Sequence, residues 1–167
     1  EYTPSVEKGI TRALSDGTLA GYPVVDLKAT LVAGSYHPVD SSAICFEIAG
    51  FHALSKGMRQ ASPQLLEPVM RVEITVPEEF ARAVIGDLNG RRGRIQGMAP
   101  EGDGTTTISI EVPQAEMLTY STDMRSQTQG QGSFTMEFDH YEEVPQHLVD
   151  GVVDLVKELR EKAEARS

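Results

Sequence analysis

The sequence predicts an α+β protein built from two small domains and a C-terminal helix, and three observations carry that reading. Met70, Val72, Ile74 and Val76 alternate with polar residues, which is the two-residue period of a strand with one buried face. Val6, Ile10, Ala13 and Leu14, and again Phe80, Val84 and Leu88, recur at helical spacing. Between these patterns runs a proline-bounded connector, Ser62 to Pro68, of the kind that separates domains. A chain of 167 residues fits two units of about 80 residues better than one. Its 40% hydrophobic and 24% charged residues are those of an ordinary folded chain.

In the first domain, residues 1–66, Pro4 and Ser5 open a helix and Gly17 stops it. Gly21-Tyr22-Pro23 then breaks the chain. Val25, Leu27, Ala29 and Leu31 alternate with Asp26, Lys28 and Thr30, which predicts a half-buried strand. The stretch Gly34 to Ser42 is too polar and too interrupted for either element, so it reads as an exposed loop. Asp40, Ser41 and Ser42 can each cap the helix that follows. In that helix Phe46, Ala49, Gly50, Ala53, Leu54, Gly57, Met58 and Ala61 form a face of mainly small residues, suited to close packing on a sheet.

The second domain, residues 67–144, is more sharply punctuated. After the first strand, Pro77-Glu78-Glu79 makes a favourable first helical turn, with acids facing the helix dipole, and Gly90 ends that helix. Arg94 to Met98 forms a short strand, Pro100 to Gly104 a turn, and Ile108, Ile110 and Val112 the return strand. Pro113 to about Met124 reads as a second helix with Met117, Leu118 and Ser121 facing inward. Phe134, Met136 and Phe138 mark a fourth strand. The order β-α-β-β-α-β is that of a ferredoxin-like domain. The tail, residues 145–167, spaces Leu148, Val152, Leu155, Val156 and Leu159 as an amphipathic helix. Its mixed polar face favours a docking role over a membrane surface.

Charge and motifs exclude several chemistries. A net charge of −10 argues against coating nucleic acid through bulk electrostatics, and Arg91, Arg92 and Arg94 form the one tight basic cluster. No apolar run reaches membrane-spanning length, and a single cysteine excludes an internal disulfide. The start at Glu1, without methionine or a signal pattern, reads as a piece of something longer. Neither GxxxxGK[ST] nor a GxGxxG after a strand is present, so no bound nucleotide is expected on this chain. Asp139 and His140 are expected on opposite faces of a strand, and no metal site is predicted. His37, Asp40 and Ser41 hold the ingredients of a triad without an oxyanion hole, so no catalytic residue is assigned. Cys45 is expected to pack inertly in its helix.

What remains is recognition. Tyr36 and His37 can stack on or bond to unpaired bases, while Ser35, Ser41 and Ser42 can reach phosphate or ribose. The plain alternative is a capping loop with one exposed histidine. Arg91, Arg92 and Arg94 can grip phosphates, or can compensate the helix C-terminus. Arg125 to Gly132, with Gln129, is a polar loop that can be either a contact or an ordinary connection.

Several runs carry a family resemblance. Leu19-Ala20-Gly21-Tyr22-Pro23-Val24-Val25-Asp26 and Gly34-Ser35-Tyr36-His37-Pro38-Val39-Asp40-Ser41-Ser42 resemble the fourth domain of bacterial translation elongation factor G. Leu66-Glu67-Pro68-Val69-Met70, Val84 to Gly93, and Met136 to Glu142 are similar to its fifth. The resemblance implies two small plait-type domains, the second half of a ribosomal-protein-S5-like domain followed by the ferredoxin-like one. It implies that GTP and magnesium belong to a G domain of the parent and that this part is not itself an enzyme. It further implies a cytoplasmic setting and contact with the ribosome. There the tip loop 34–42, with Ser35, Tyr36, His37, Asp40, Ser41 and Ser42, meets tRNA and mRNA in the decoding region. Arg91, Arg92, Arg94, Arg125 and Gln129 would face ribosomal RNA and the stalk base. No membrane or small-molecule partner is implied. Gln131, Thr119-Tyr120-Ser121 and Pro38 depart from the family's usual residues, which leaves open a paralogue acting in ribosome recycling. A free-standing RNA-binding or interaction module without a GTPase parent is the other open reading.

Overall fold

In the computed structural model of the chain, the described residues are 1–165, without the side chains of Leu159 and Arg160. They divide into two compact units, one of residues 1–65 with 145–165 and one of residues 66–144. Each is described by itself.

The first unit rests on two helices, α1 (Thr3–Asp16) and α2 (Ala43–Gln60). Ser42 is the residue that caps α2, its side chain accepting a hydrogen bond from the Cys45 backbone N–H. The small-residue face of α2 packs on a helix and not on a sheet. Gly9 of α1 lies so close to the Glu47–Phe51 backbone that a Cβ there would stand 2.9 Å from the Phe51 nitrogen, and one at Gly50 would stand 2.8 Å from the Val6 carbonyl oxygen. Tyr2 stacks on Phe46 at 4.5 Å between centroids, and Lys8 pairs with Glu47 at 3.0 Å.

The strand expected at Val25–Leu31 does not form. Residues 27–37 form neither strand nor helix, and Val25, Leu27, Leu31 and Val32 are exposed. The alternation is real, but a strand is stable only when its backbone groups have a partner. No other strand lies within residues 1–65. Asp26 also takes a positive φ of 56°, which interrupts the pleat at its start. Cys45 corrects a second expectation, for it is exposed and not packed.

The second unit is the ferredoxin-like domain. It comprises β1 (Leu66–Pro77), α3 (Glu78–Gly90), β2 (Arg94–Pro100), β3 (Thr105–Pro113), α4 (Tyr120–Gln127) and β4 (Ser133–Glu143). The sheet runs β2-β3-β1-β4 with every neighbour antiparallel. Its covered face presents Val72, Ile74, Val76, Ile108, Ile110 and Val112 to Val84, Leu88, Tyr120 and Met124 of the helices. Ile74 and Ile108 are fully buried, each stabilising the unit by about 2–3 kcal/mol. The second helix is shorter than expected. Gln114–Met117 is a 3-10 turn and α4 starts only at Tyr120. That break shifts the helical phase, so Tyr120 and Met124 point inward with Met117, whereas Leu118 and Ser121 are exposed.

The C-terminal helix α5 (Gln146–Glu164) keeps Val149 buried, while Leu155 of the expected stripe is exposed. The side chain of Leu159 lies outside the described residues. Among the described residues no helix is long and apolar enough to cross a membrane.

Candidate nucleic-acid interface

The tip loop is exposed yet internally braced. His37 donates its backbone N–H to the Ser41 hydroxyl at 2.9 Å, and Ser41 returns its own to the His37 carbonyl at 3.1 Å. The His37 ring Nδ1 lies 3.4 Å from an Asp40 carboxylate oxygen. Tyr36 stacks on Tyr2 at 5.8 Å, and Tyr2 in turn on Phe46, which ties the loop to α2. The side chain of His37 is 67% exposed and that of Asp40 79% exposed. Ser35 and Tyr36 are also exposed, whereas Ser41 and Ser42 are engaged by the reciprocal bond and the helix cap. A short aromatic and polar tip of this kind can stack on a splayed base without rebuilding itself.

The basic cluster behaves differently from the phosphate grip its spacing offered. Arg91 Nε donates to Asp87 at 2.8 Å, Nη1 to the Glu116 carbonyl at 2.8 Å and Nη2 to Asp123 at 2.6 Å, with the guanidinium over the Tyr120 ring at 5.2 Å. Arg92 binds Glu67 through both terminal nitrogens, at 2.6 and 3.0 Å, and Glu116 through Nε at 3.0 Å. Their donors are committed to acids of their own domain. The backbone agrees, since Arg92 takes a left-handed φ of 59° and Gly93 donates to the Leu88 carbonyl at 2.9 Å, closing α3. A Cβ at Gly93 would stand 2.6 Å from that same carbonyl oxygen, so Gly90-Arg91-Arg92-Gly93 is a helix-ending device. Arg125 and Gln129, by contrast, are exposed, and Gln129 holds a positive φ of 52° in the α4–β4 turn.

The Arg91 hydrogen bond, seconded by that of Thr119, holds the Asp123 carboxyl below the usual carboxylate range, and burial pushes the Tyr120 phenol up to about 12. Arg91→Ala strands Asp87 and Asp123 beside an unpartnered buried Tyr120 hydroxyl. The expected cost is about 2 kcal/mol, below that of a fully buried pair because Asp123 is partly solvated, and Arg91→Lys recovers only part of it. Urea unfolding followed by circular dichroism measures both. A cost under about 0.5 kcal/mol for alanine returns Arg91 to the pool of residues available for RNA.

A second charged cluster sits on the open face of the sheet. The β1–β4 register slips between Val69 and Met70, which face His140 and Phe138, leaving Asp139 as the extra residue of a bulge. The bulge corrects the expectation that Asp139 and His140 diverge. The Asp139 carboxylate instead meets His140 Nδ1 at 2.6 Å, while His140 Nε2 meets Glu142 at 2.8 Å. Arg71 pairs with Asp139, and Arg94 bridges Glu111 at 3.1 Å and Glu142 at 2.5 Å. The Glu142 and Asp139 hydrogen bonds raise the His140 pKa, while the His140 hydrogen bond, with the charge of Arg71, holds the Asp139 carboxyl low and the Arg94 hydrogen bond, with that of His140, does the same for Glu142. The missed signal was in the sequence: Phe138 and Tyr141 stand three apart where Phe134, Met136 and Phe138 stand two apart.

A ferredoxin-like domain preceded by a helical unit with a braced, exposed polar tip is thus the class of protein on view. Residues 64–152 match the family described as elongation factor G C-terminus, and residues 1–62 match elongation factor G, domain IV. The chain belongs to the elongation factor G family. It is similar to a protein of Thermus thermophilus known by crystal structure, with 44% identity and a TM-score of 0.80 over 94% of this chain. The match takes in 24% of that protein, so the chain spans about a quarter of its length.

Proposed function

We propose that this chain is the ribosome-contacting part of a translational GTPase of the elongation factor G type, and that its tip loop enters the decoding region beside tRNA and mRNA. The observation that carries the reading is the loop itself. His37 and Tyr36 project from a turn locked by the His37–Ser41 hydrogen bonds and anchored through Tyr2 to α2. A preorganised tip loses little conformational freedom on binding, which suits transient contact with a moving partner. Arg125 and Gln129 are the better placed of the candidate RNA contacts on the second unit, because Arg91 and Arg92 are internally engaged and Arg94 is shared between two acids. Nucleotide and magnesium are handled by another domain of the parent, in the cytoplasm, with ribosomal RNA at the stalk base as the second unit's partner.

The test exchanges residues 35–41 for a glycine-serine segment of equal length in the full-length parent. Ribosome-stimulated GTP hydrolysis should persist, while movement of a fluorescent tRNA on the ribosome should slow by about tenfold or more. Unchanged tRNA movement ends the proposal.

A further inference from the structure

Two of the five lysines and arginines in residues 1–65 are paired with acids of the same unit, Lys8 with Glu47 and Arg12 with Asp16. The other three, Lys28, Lys56 and Arg59, are exposed and have no ion-pair partner among the described residues. Lys56 and Arg59 follow His52 at helical spacing, so the three share the face of α2 turned away from the Gly50 contact with α1. Lys28 stands at the same end of the helix, because it shares a shallow groove with Met58, Ala61 and Pro63. Asp26 is the one acid in that groove, and Glu47 the one acid of α2. We propose that Lys28, Lys56 and Arg59, with His52 beside them, hold the phosphate backbone of ribosomal RNA. This rests on the reading above and adds to the tip a second RNA surface on the first unit.

The free protein gains nothing from this arrangement. Lys56 and Arg59 stand three apart with no acid three or four residues from either, and like charges so placed weaken a helix. Arg59 lies in the last turn, where the helix dipole favours a cation, but Lys56 stands a turn earlier. A chain of net charge −10 meets RNA only where its cations are left free, and Arg91, Arg92 and Arg94 are not. The face is also continuous with the tip. Ser42, the last residue of the loop, caps α2, and the helix carries Lys56 and Arg59 roughly 20–25 Å further on, at about 1.5 Å per residue. A tip seated beside tRNA in the decoding region therefore lays this flank along the ribosomal RNA that walls it. Cations on flexible stems meet phosphate as point charges, so the contact positions the unit without reading sequence.

The test measures binding of the full-length parent, held with a nonhydrolysable GTP analogue, to ribosomes over a range of salt. Lys56→Gln combined with Arg59→Gln should weaken binding about tenfold at low salt and flatten the slope of log affinity against log salt by about 1–2. Both side chains are exposed and unpaired, so the variant is expected to fold, and circular dichroism checks it. Lys28→Gln, outside any helix, should flatten the slope by about 1 and decides alone if the double variant unfolds. Arg82→Gln, a loss of charge at an exposed cation of the second unit, should change neither quantity. Ribosomes without tRNA should show the same losses as ribosomes that hold it. Unchanged affinity in a folded variant, an equal effect from Arg82→Gln, or a loss confined to tRNA-filled ribosomes overturns the contact. A loss of affinity with an unchanged salt slope overturns it in favour of an acidic protein. Exchange of residues 35–41 separates this contact from the reading it rests on. Slowed tRNA movement there, beside unchanged binding here, strikes the α2 flank alone, whereas unchanged tRNA movement strikes the reading itself.

Discussion

Replacing His37 by alanine in the full-length parent is expected to slow tRNA movement by roughly ten- to a hundredfold and to leave ribosome-stimulated GTP hydrolysis within about twofold of the original. The asymmetry follows from where the side chain stands. The ring is two-thirds exposed, and its one charged neighbour, Asp40, is more exposed still. Neither holds the loop together, since the bracing bonds run between the His37 backbone and Ser41. Alanine keeps those bonds and removes only the projecting ring. A stacking or hydrogen-bonding contact of about 1–3 kcal/mol, made mainly as the tRNA moves, gives the predicted range of rates. Stopped-flow fluorescence of labelled tRNA and phosphate release, run on the same preparations, measure both quantities. Equal loss of both activities would make His37 a residue that holds the loop's fold, and no loss of either would make it an ordinary exposed histidine.

The tip was legible because its signals are local: a glycine start, a proline, hydroxyls and a capping serine, none of which depends on distant partners. The second unit's order of elements was legible for the same reason, since Gly90, the Pro100–Gly104 turn and the alternation in β1 each punctuate one element. What failed was whatever needed a partner. Val25 to Leu31 carries a strand pattern, but a pattern cannot supply the neighbouring backbone that would make it a strand. The arginines at 91 and 92 are adjacent in sequence to one another but 24 to 32 residues from Glu67, Glu116 and Asp123, and only the fold shows that these acids claim them. The two bulges sit between these cases. Ile95 and Met98, like Phe138 and Tyr141, stand three apart within a strand, and in both places the sheet register slips. That spacing was in the sequence and could have moved Asp139 and His140 to one face.

The two-helix contact of the first unit yields the sharpest stability prediction. Gly9→Ala is expected to destabilise that unit by about 2–3 kcal/mol, although alanine is the better helix former by about 1 kcal/mol. The new methyl group would land inside the contact shell of the Glu47 carbonyl oxygen and 2.9 Å from the Phe51 nitrogen. Both obstacles are backbone of α2, so no side chain can rotate aside and the two helices must separate. Separation loosens the burial of Ala13, the Tyr2–Phe46 stack and the Lys8–Glu47 pair together. Gly57→Ala is the control, on the same helix α2 but with nothing within 4 Å of the added Cβ. It should stabilise by about 0.5–1 kcal/mol, because helix propensity then acts without a clash. Hydrogen exchange of the α1 and α2 amides reads this unit apart from the sheet domain, whose protection should not change in either variant. If Gly9→Ala protects the α1 amides as Gly57→Ala is expected to protect those of α2, the close helix approach through Gly9 is not what holds the first unit together.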